Sequence, residues 1–256
     1  MGSEFRRCIA AALLAGASIG LFGGSAHAGE PAFLIGIEPD GRVSEVARRR
    51  LEKYLDTQGC LADIRFTTDD PALALVFRAG IPGAGETPVL VAVNAGGRLP
   101  QPAWITRRTA GVRGLADLEN RDLATVAGHD PLGSELPLAA LRREGVLPDS
   151  GRFYEAGDYS SALGLLLHNN THAAVSELGF VEPFLDKNGL VVTWSGEPVI
   201  AGGWYRRAGW NNAVAACEQA LARRQRDDDR QAFAAFPEWV AGFARHDSQN
   251  SEDSSQ

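Results

Sequence analysis

Between Gly111 and Leu141 the chain reads GVRGLADLENRDLATVAGHDPLGSELPLAAL, a short apolar strand, a polar loop and a helix start in immediate succession. No other stretch restricts the fold as much. Leu123 to Ala127 is long enough for a buried strand, and Gly128-His129-Asp130-Pro131-Leu132-Gly133 cannot continue it. Ser134 reads as the N-cap of the next helix, with Glu135 adding first-turn negative charge and Pro137 tolerated in that turn. Leu136, Ala139, Ala140 and Leu141 supply its apolar face, and Gly145 and Pro148 close it. A joint of this kind directs backbone N–H groups past the carboxyl end of a strand, where open α/β sheets hold their ligands.

Similar alternation runs through the rest of the chain. Phe33 to Ile37 reads as a strand, the turn Glu38-Pro39-Asp40-Gly41 follows, and Val43 to Thr57 keeps a helical period. Asp63 to Thr68 alternates like a strand, and Asp69-Asp70-Pro71 opens an expected helix from Ala72 to Ala79. A Pro/Gly linker at Ile81 to Glu86, a strand at Pro88 to Val93 and a loop from Asn94 to Pro102 lead to a strand at Trp104 to Thr109. Beyond the central stretch come a strand at Phe153-Tyr154, a helix at Ser160 to His168 capped by Asp158, a strand at His172 to Ser176, a helix at Glu177 to Asp186 and a strand at Leu190 to Trp194. Helices from Asn212 to Arg224 and from Arg230 to Ala244 finish the pattern, which predicts a mostly parallel, doubly wound α/β architecture.

With 45% hydrophobic residues, a chain of 256 can build one large core or two small ones. The net charge of −7 and the scatter of basic residues argue against a nucleic-acid partner. Residues 1–28 carry Arg6 and Arg7, an apolar region from Cys8 to Phe22, and Ala26-His27-Ala28 before Gly29. That is the pattern of a cleaved signal peptide, too short in its apolar part to span a membrane comfortably, and it places the mature chain outside the cytoplasmic membrane. Removing it leaves Cys60 and Cys217, for which a disulfide, two buried thiols and a soft-metal site are all open. His246 to Gln256 reads as a polar tail.

No constellation for catalysis is complete. His129, Asp130 and Ser134 contain the groups of a hydrolase triad, but they crowd one short loop and LGSEL lacks the second glycine of a nucleophile elbow. His168 and His172 read as surface residues, and Asp227-Asp228-Asp229 as a solvated linker rather than a metal site. Phe233, Phe236, Trp239 and Phe243 read as core. The expectation is a protein that is not an enzyme and takes no cofactor or metal.

The order FLIGIEP, GVRGLADLENRDLATVAGHDPLGSELPLAALRREG, FYEAGDYSSALGLLLHNNTHAAVSE and WSGEPVIAGGWYRR resembles the phosphonate-type periplasmic substrate-binding family of ABC transporters, within the type II periplasmic binding fold. The resemblance implies a two-lobed α/β protein with mostly parallel sheets and helices on both faces. One lobe would comprise residues 29–102 and 195–245 and the other 103–194, with residues 246–256 as a disordered tail and crossovers near Pro102 to Thr109 and Leu190 to Ser195. It implies a periplasmic monomer that closes on a small oxyanionic or zwitterionic solute, phosphonate or phosphate-like, for ABC transporter membrane subunits or a membrane sensor kinase. Residue by residue, it assigns ligand binding to Gly128, His129, Asp130, Gly133, Ser134 and Glu135 in one loop and to Asp158, Tyr159 and Ser160 in a second. Glu177, after a third strand, would read an amine. The chain departs from the family by keeping a single hydroxyl, Ser134, in the first loop, by placing Tyr159 where the family has histidine, and by a shortened first lobe between Ala79 and Trp104. These departures imply a divergent ligand or a sensing role, with a ligand-silent accessory protein as the alternative.

Overall fold

The computed structural model describes residues 32–38, 44–128, 130–146 and 150–246, and the expected signal peptide, His129, Pro148 and most of the tail lie outside them. The described residues open with strand β1 (Phe33–Ile37), helix α1 (Glu45–Thr57) and strand β2 (Ala62–Arg65), which pairs parallel to β1. Ser44 caps α1 by accepting from Ala47 N, and Ala47, Leu51 and Leu55, at helical spacing, form its buried face.

Strand β3 (Leu75–Ala79) then pairs parallel to β1 on its other side. A helix was expected here, and the difference has a physical reason. The apolar run is too short for its period to separate helix from strand, and Val76 and Phe77 favour the pleated surface they occupy between two neighbours. Strand β4 (Leu90–Val93) precedes the first crossing to the second sheet, which residues 94–101 make.

The second sheet contains β5 (Pro102–Arg107), β6 (Leu123–Val126), β7 (Phe153–Ala156), β8 (Ala173–Glu177) and β9 (Leu190–Ser195), in the order β7-β6-β8-β5-β9. Its helices are α2 (Leu136–Arg143), α3 (Tyr159–Leu167) and the short α4 (Leu178–Val181). The Arg107 guanidinium donates to Leu166 O at 3.0 Å and to Leu167 O, placing a cation at the negative end of α3. The chain returns through residues 196–201 to β10 (Gly202–Arg206), a strand that the sequence pattern did not reveal, then to α5 (Ala215–Arg223) and β11 (Gly242–Arg245). The first sheet runs β11-β4-β10-β3-β1-β2.

Both sheets are mixed. Pairings within the βαβ portions are parallel, whereas β10, β11, β5 and β9 run antiparallel to their neighbours. The expected terminal helix from Arg230 to Ala244 is instead a 3-10 turn (Ala232–Ala235), a loop through Pro237, and β11. A proline inside a helix costs about 3 kcal/mol, whereas an edge strand lets Phe236 and Phe243 reach the same core. Phe236 lies 4.9 Å from Phe77 and 5.2 Å from Phe243 between ring centroids, and Phe77 and Trp204 meet edge to face at 5.5 Å.

Cys60, after α1, is disulfide-bonded to Cys217 in α5, with Cα atoms 5.0 Å apart. Of the alternatives open to the two cysteines, the first holds. Asp229 is more than a solvated linker residue: it accepts from Ala232 N at 3.1 Å and from Arg50 at 3.2 Å, tying the 3-10 turn to α1.

Candidate functional site

The loop after β6 is built around Asp130. Its Oδ1 accepts from Leu132 N at 2.9 Å and Gly133 N at 2.7 Å and so caps a single π-helical turn, Pro131–Glu135, that runs into α2. The cap is therefore Asp130 and not Ser134. Ser134 falls inside the turn, where its hydroxyl points back to Gly128 O at 3.1 Å and Asp130 O at 2.8 Å. Pro131 suits the first position of such a turn because it has no N–H to satisfy. Gly133 is required by contact rather than by φ: a Cβ there would lie 2.6 Å from Val126 Cβ.

Tyr159, the first residue of α3, donates its hydroxyl to Asp130 Oδ1 at 2.6 Å and joins the first loop to the second. Burial pushes the Asp130 carboxyl above the usual carboxylate range, against the opposing pull of the donors from Tyr159, Gly133 and Leu132. Asp158 caps α3, its Oδ1 accepting from Ser161 N at 2.7 Å.

These loops form one wall of a cleft of about 220 Å³ between the two sheets. Val126, Gly128, Asp130, Gly157, Asp158 and Tyr159 line it from the second sheet, and Glu38, Phe77, Ala79, Pro237 and Glu238 from the first. Glu38 is held at the end of β1 by accepting from Ala79 N at 3.0 Å. Glu238 accepts from Ser160 N at 2.8 Å and from Ser160 Oγ at 2.9 Å.

Of the residues singled out from the sequence, Gly128, Asp130, Asp158 and Tyr159 converge on the cleft. Gly133 and Ser134 are buried beneath the loop, Glu135 is exposed at the entry to α2, Ser160 faces Glu238, and His129 lies outside the described residues. Glu177 is not a wall residue. It is 0% exposed, and its oxygens accept from Asn94 Nδ2, Gln101 N and Phe180 N at 2.9, 3.2 and 2.7 Å. The sequence does not reveal Glu38, Glu238, Phe77 or Pro237 as cleft residues. Phe77 and Glu238 were assigned to helices, and nothing local marks an acidic residue as facing a loop 78 positions away.

The family model described as ABC transporter, phosphonate, periplasmic substrate-binding protein matches residues 62–250. The chain belongs to this family. Among solved structures, the family member is similar to PhnD1 from Prochlorococcus marinus (MIT 9301) in complex with methylphosphonate, with 15% identity, a TM-score of 0.55 and coverage of 85% of this chain and 93% of that one. A binding protein component of an ABC phosphonate transporter (PA3383) from Pseudomonas aeruginosa gives 13% identity, a TM-score of 0.56 and coverage of 86% and 83%. XAC2383 from Xanthomonas citri bound to ATP gives 16%, 0.55, and 85% and 92%. Identities this low establish the two-lobed α/β fold of periplasmic binding proteins, and family membership rests on the sequence model. A search of curated proteins finds no match. The chain is thus a periplasmic substrate-binding protein of ABC transporter type and not an enzyme. Among the described residues no helix is long and apolar enough to cross a membrane.

Proposed function

We propose that this substrate-binding protein closes its two lobes on a small zwitterionic solute, one carrying an ammonium or amidinium group beside an anionic group, and presents it to ABC transporter membrane subunits. The observation that carries the reading is the charge of the cleft. Glu38, Asp130, Asp158 and Glu238 line it, and no Lys or Arg does so among the described residues. Each anionic charge placed about 6 Å from a carboxylate costs roughly 3 kcal/mol at an effective dielectric constant near 20. A simple dianion such as phosphate is therefore disfavoured, while an ammonium group gains by the same arithmetic. A volume of 220 Å³ is on the scale of a small metabolite. Phe77 and Pro237 supply an apolar wall for its carbon skeleton.

Once the solute is in the cleft, contacts that it makes with both lobes at once would hold them together around it. The test is a thermal-shift and calorimetric screen of the chain from Gly29 against aminoethylphosphonate, amino acids and betaines, with methylphosphonate and inorganic phosphate alongside. An aminated solute at about 100 times its Kd should add about 2.7 kcal/mol of stability. Stabilisation by phosphate or methylphosphonate, with none from their aminated counterparts, would overturn the reading. The contact between Glu238 and Ser160 favours a second reading, an accessory protein whose chain fills its own cleft; a response to none of these solutes would support it.

A further inference from the structure

Glu238 reaches from one lobe to the other. Its own segment is anchored to the first sheet: Ala241 N donates to Val93 O at 2.8 Å, and Phe236 packs on Phe77. Arg226 clamps that segment from behind, with Nε donating to Val240 O at 2.6 Å and a terminal nitrogen to Pro237 O at 2.7 Å. The partner, Ser160, sits in the first turn of the nine-residue helix α3 on the second sheet. Both carboxylate oxygens are engaged, one by the backbone N–H of Ser160 and one by its hydroxyl. Two oxygens of one anion on two donors at the positive end of a helix is the arrangement by which proteins hold small oxyanions. Here the anion is part of the chain.

We propose that Glu238 is a built-in anion that latches the two lobes across the cleft and keeps a solute oxyanion off the first turn of α3. The latch rests on the reading of this cleft as the solute site, but not on which solute enters it. Opening has to break two charge-assisted hydrogen bonds, which are about twice as strong as neutral ones. A tethered carboxylate competes at an effective concentration in the millimolar range, so dilute phosphate does not displace it. The solute-free protein therefore populates a closed form, and solute entry is coupled to release of Glu238.

The proposal is tested with Glu238→Gln, which keeps the side-chain size and removes the charge, and with Ser160→Ala, which removes one donor from the opposite lobe. Small-angle X-ray scattering without solute should give both variants a larger radius of gyration than the wild type. Titration calorimetry with inorganic phosphate should show about tenfold tighter binding to Glu238→Gln than to the wild type, with no such gain in Ser160→Ala. Scattering curves that superimpose on that of the wild type would overturn the latch, and equal phosphate affinities in Glu238→Gln and wild type would overturn the exclusion. If far-UV circular dichroism shows that Glu238→Gln does not fold, Ser160→Ala carries the scattering test alone. Failure here is distinct from failure of the zwitterion reading, which is decided on the wild type with aminated solutes.

Discussion

Glu177 Oε1 accepts a 2.9 Å hydrogen bond from Asn94 Nδ2, so a fully buried carboxylate at the end of β8 in the second sheet is fastened to the end of β4 in the first. The same carboxylate holds Gln101 N at the entrance to β5 and Phe180 N at the start of α4. It thus fixes the first of the two crossings between sheets at both ends. Glu177→Ala should leave three donors without their acceptor, that of Asn94 in a fully buried contact, and lower the unfolding free energy by about 3 kcal/mol, as measured by urea denaturation. Glu177→Gln, which keeps one acceptor oxygen, should lose less. Gly179→Ala should be destabilising too, because its Cβ would come within 2.7 Å of Asn94 Nδ2.

Arg226 is half-buried with its guanidinium on the carbonyls of Val240, Pro237 and Phe236, and that burial lowers its pKa to about 10, which leaves it charged at neutral pH. Arg226→Met should cost about 3 kcal/mol because the carbonyls lose charged donors. Arg226→Lys should recover little of it, since an ammonium cannot span a fork of carbonyls. Denaturation midpoints of the two variants test this.

Asp130 sets a pH dependence. A carboxyl whose folded pKa lies above its unfolded value binds its proton more tightly when folded, so its contribution favours the fold at acid pH and is lost as pH rises through the folded value. The stability of wild type relative to Asp130→Asn should therefore decline as the pH rises above the ordinary aspartate value of about 4. Urea midpoints at several pH values measure it, and a difference that grows with pH would contradict the upward direction assigned to Asp130.

Gly133→Ala should destabilise the loop by roughly 1–3 kcal/mol, the usual cost of overpacking, because the new methyl meets Val126 Cβ at 2.6 Å. Because that loop forms one wall of the cleft, solute affinity should fall with it, and calorimetry with the best solute of the screen reads that loss.

The sequence displayed local structure and concealed partnerships. The joint from Leu123 to Leu141 was legible because a buried run, a set of breakers and an amphipathic helix follow one another within it. The same was true of α1, whose apolar residues keep a helical period, and of Asp158 as the cap of α3. The cap expected at Ser134 lies four residues earlier, at Asp130, because a π-turn precedes the α-helix and Asp130 caps that turn. The sequence of strand β3 reads as a helix because so short a run holds too little period to decide, and its identity depends on β1 and β10 beside it. Pro237 was a readable warning against a long terminal helix. Glu177 looked like a ligand carboxylate because it follows a strand, but its role is fixed by Asn94, whose proximity exists only in three dimensions. The contact between Glu238 and Ser160 is of the same kind: polar side chains leave no periodic trace of the partners they find across a cleft.

The Cys60–Cys217 bond closes a covalent ring whose ends are 157 positions apart, and the whole second sheet, from β5 to β9, lies within that ring. A protease that cuts the backbone once anywhere in that sheet opens the ring without releasing a piece. The nicked protein should migrate as one species on a denaturing gel and separate into two bands once a thiol reductant is added, so a wound in the second sheet is held together by a suture outside it.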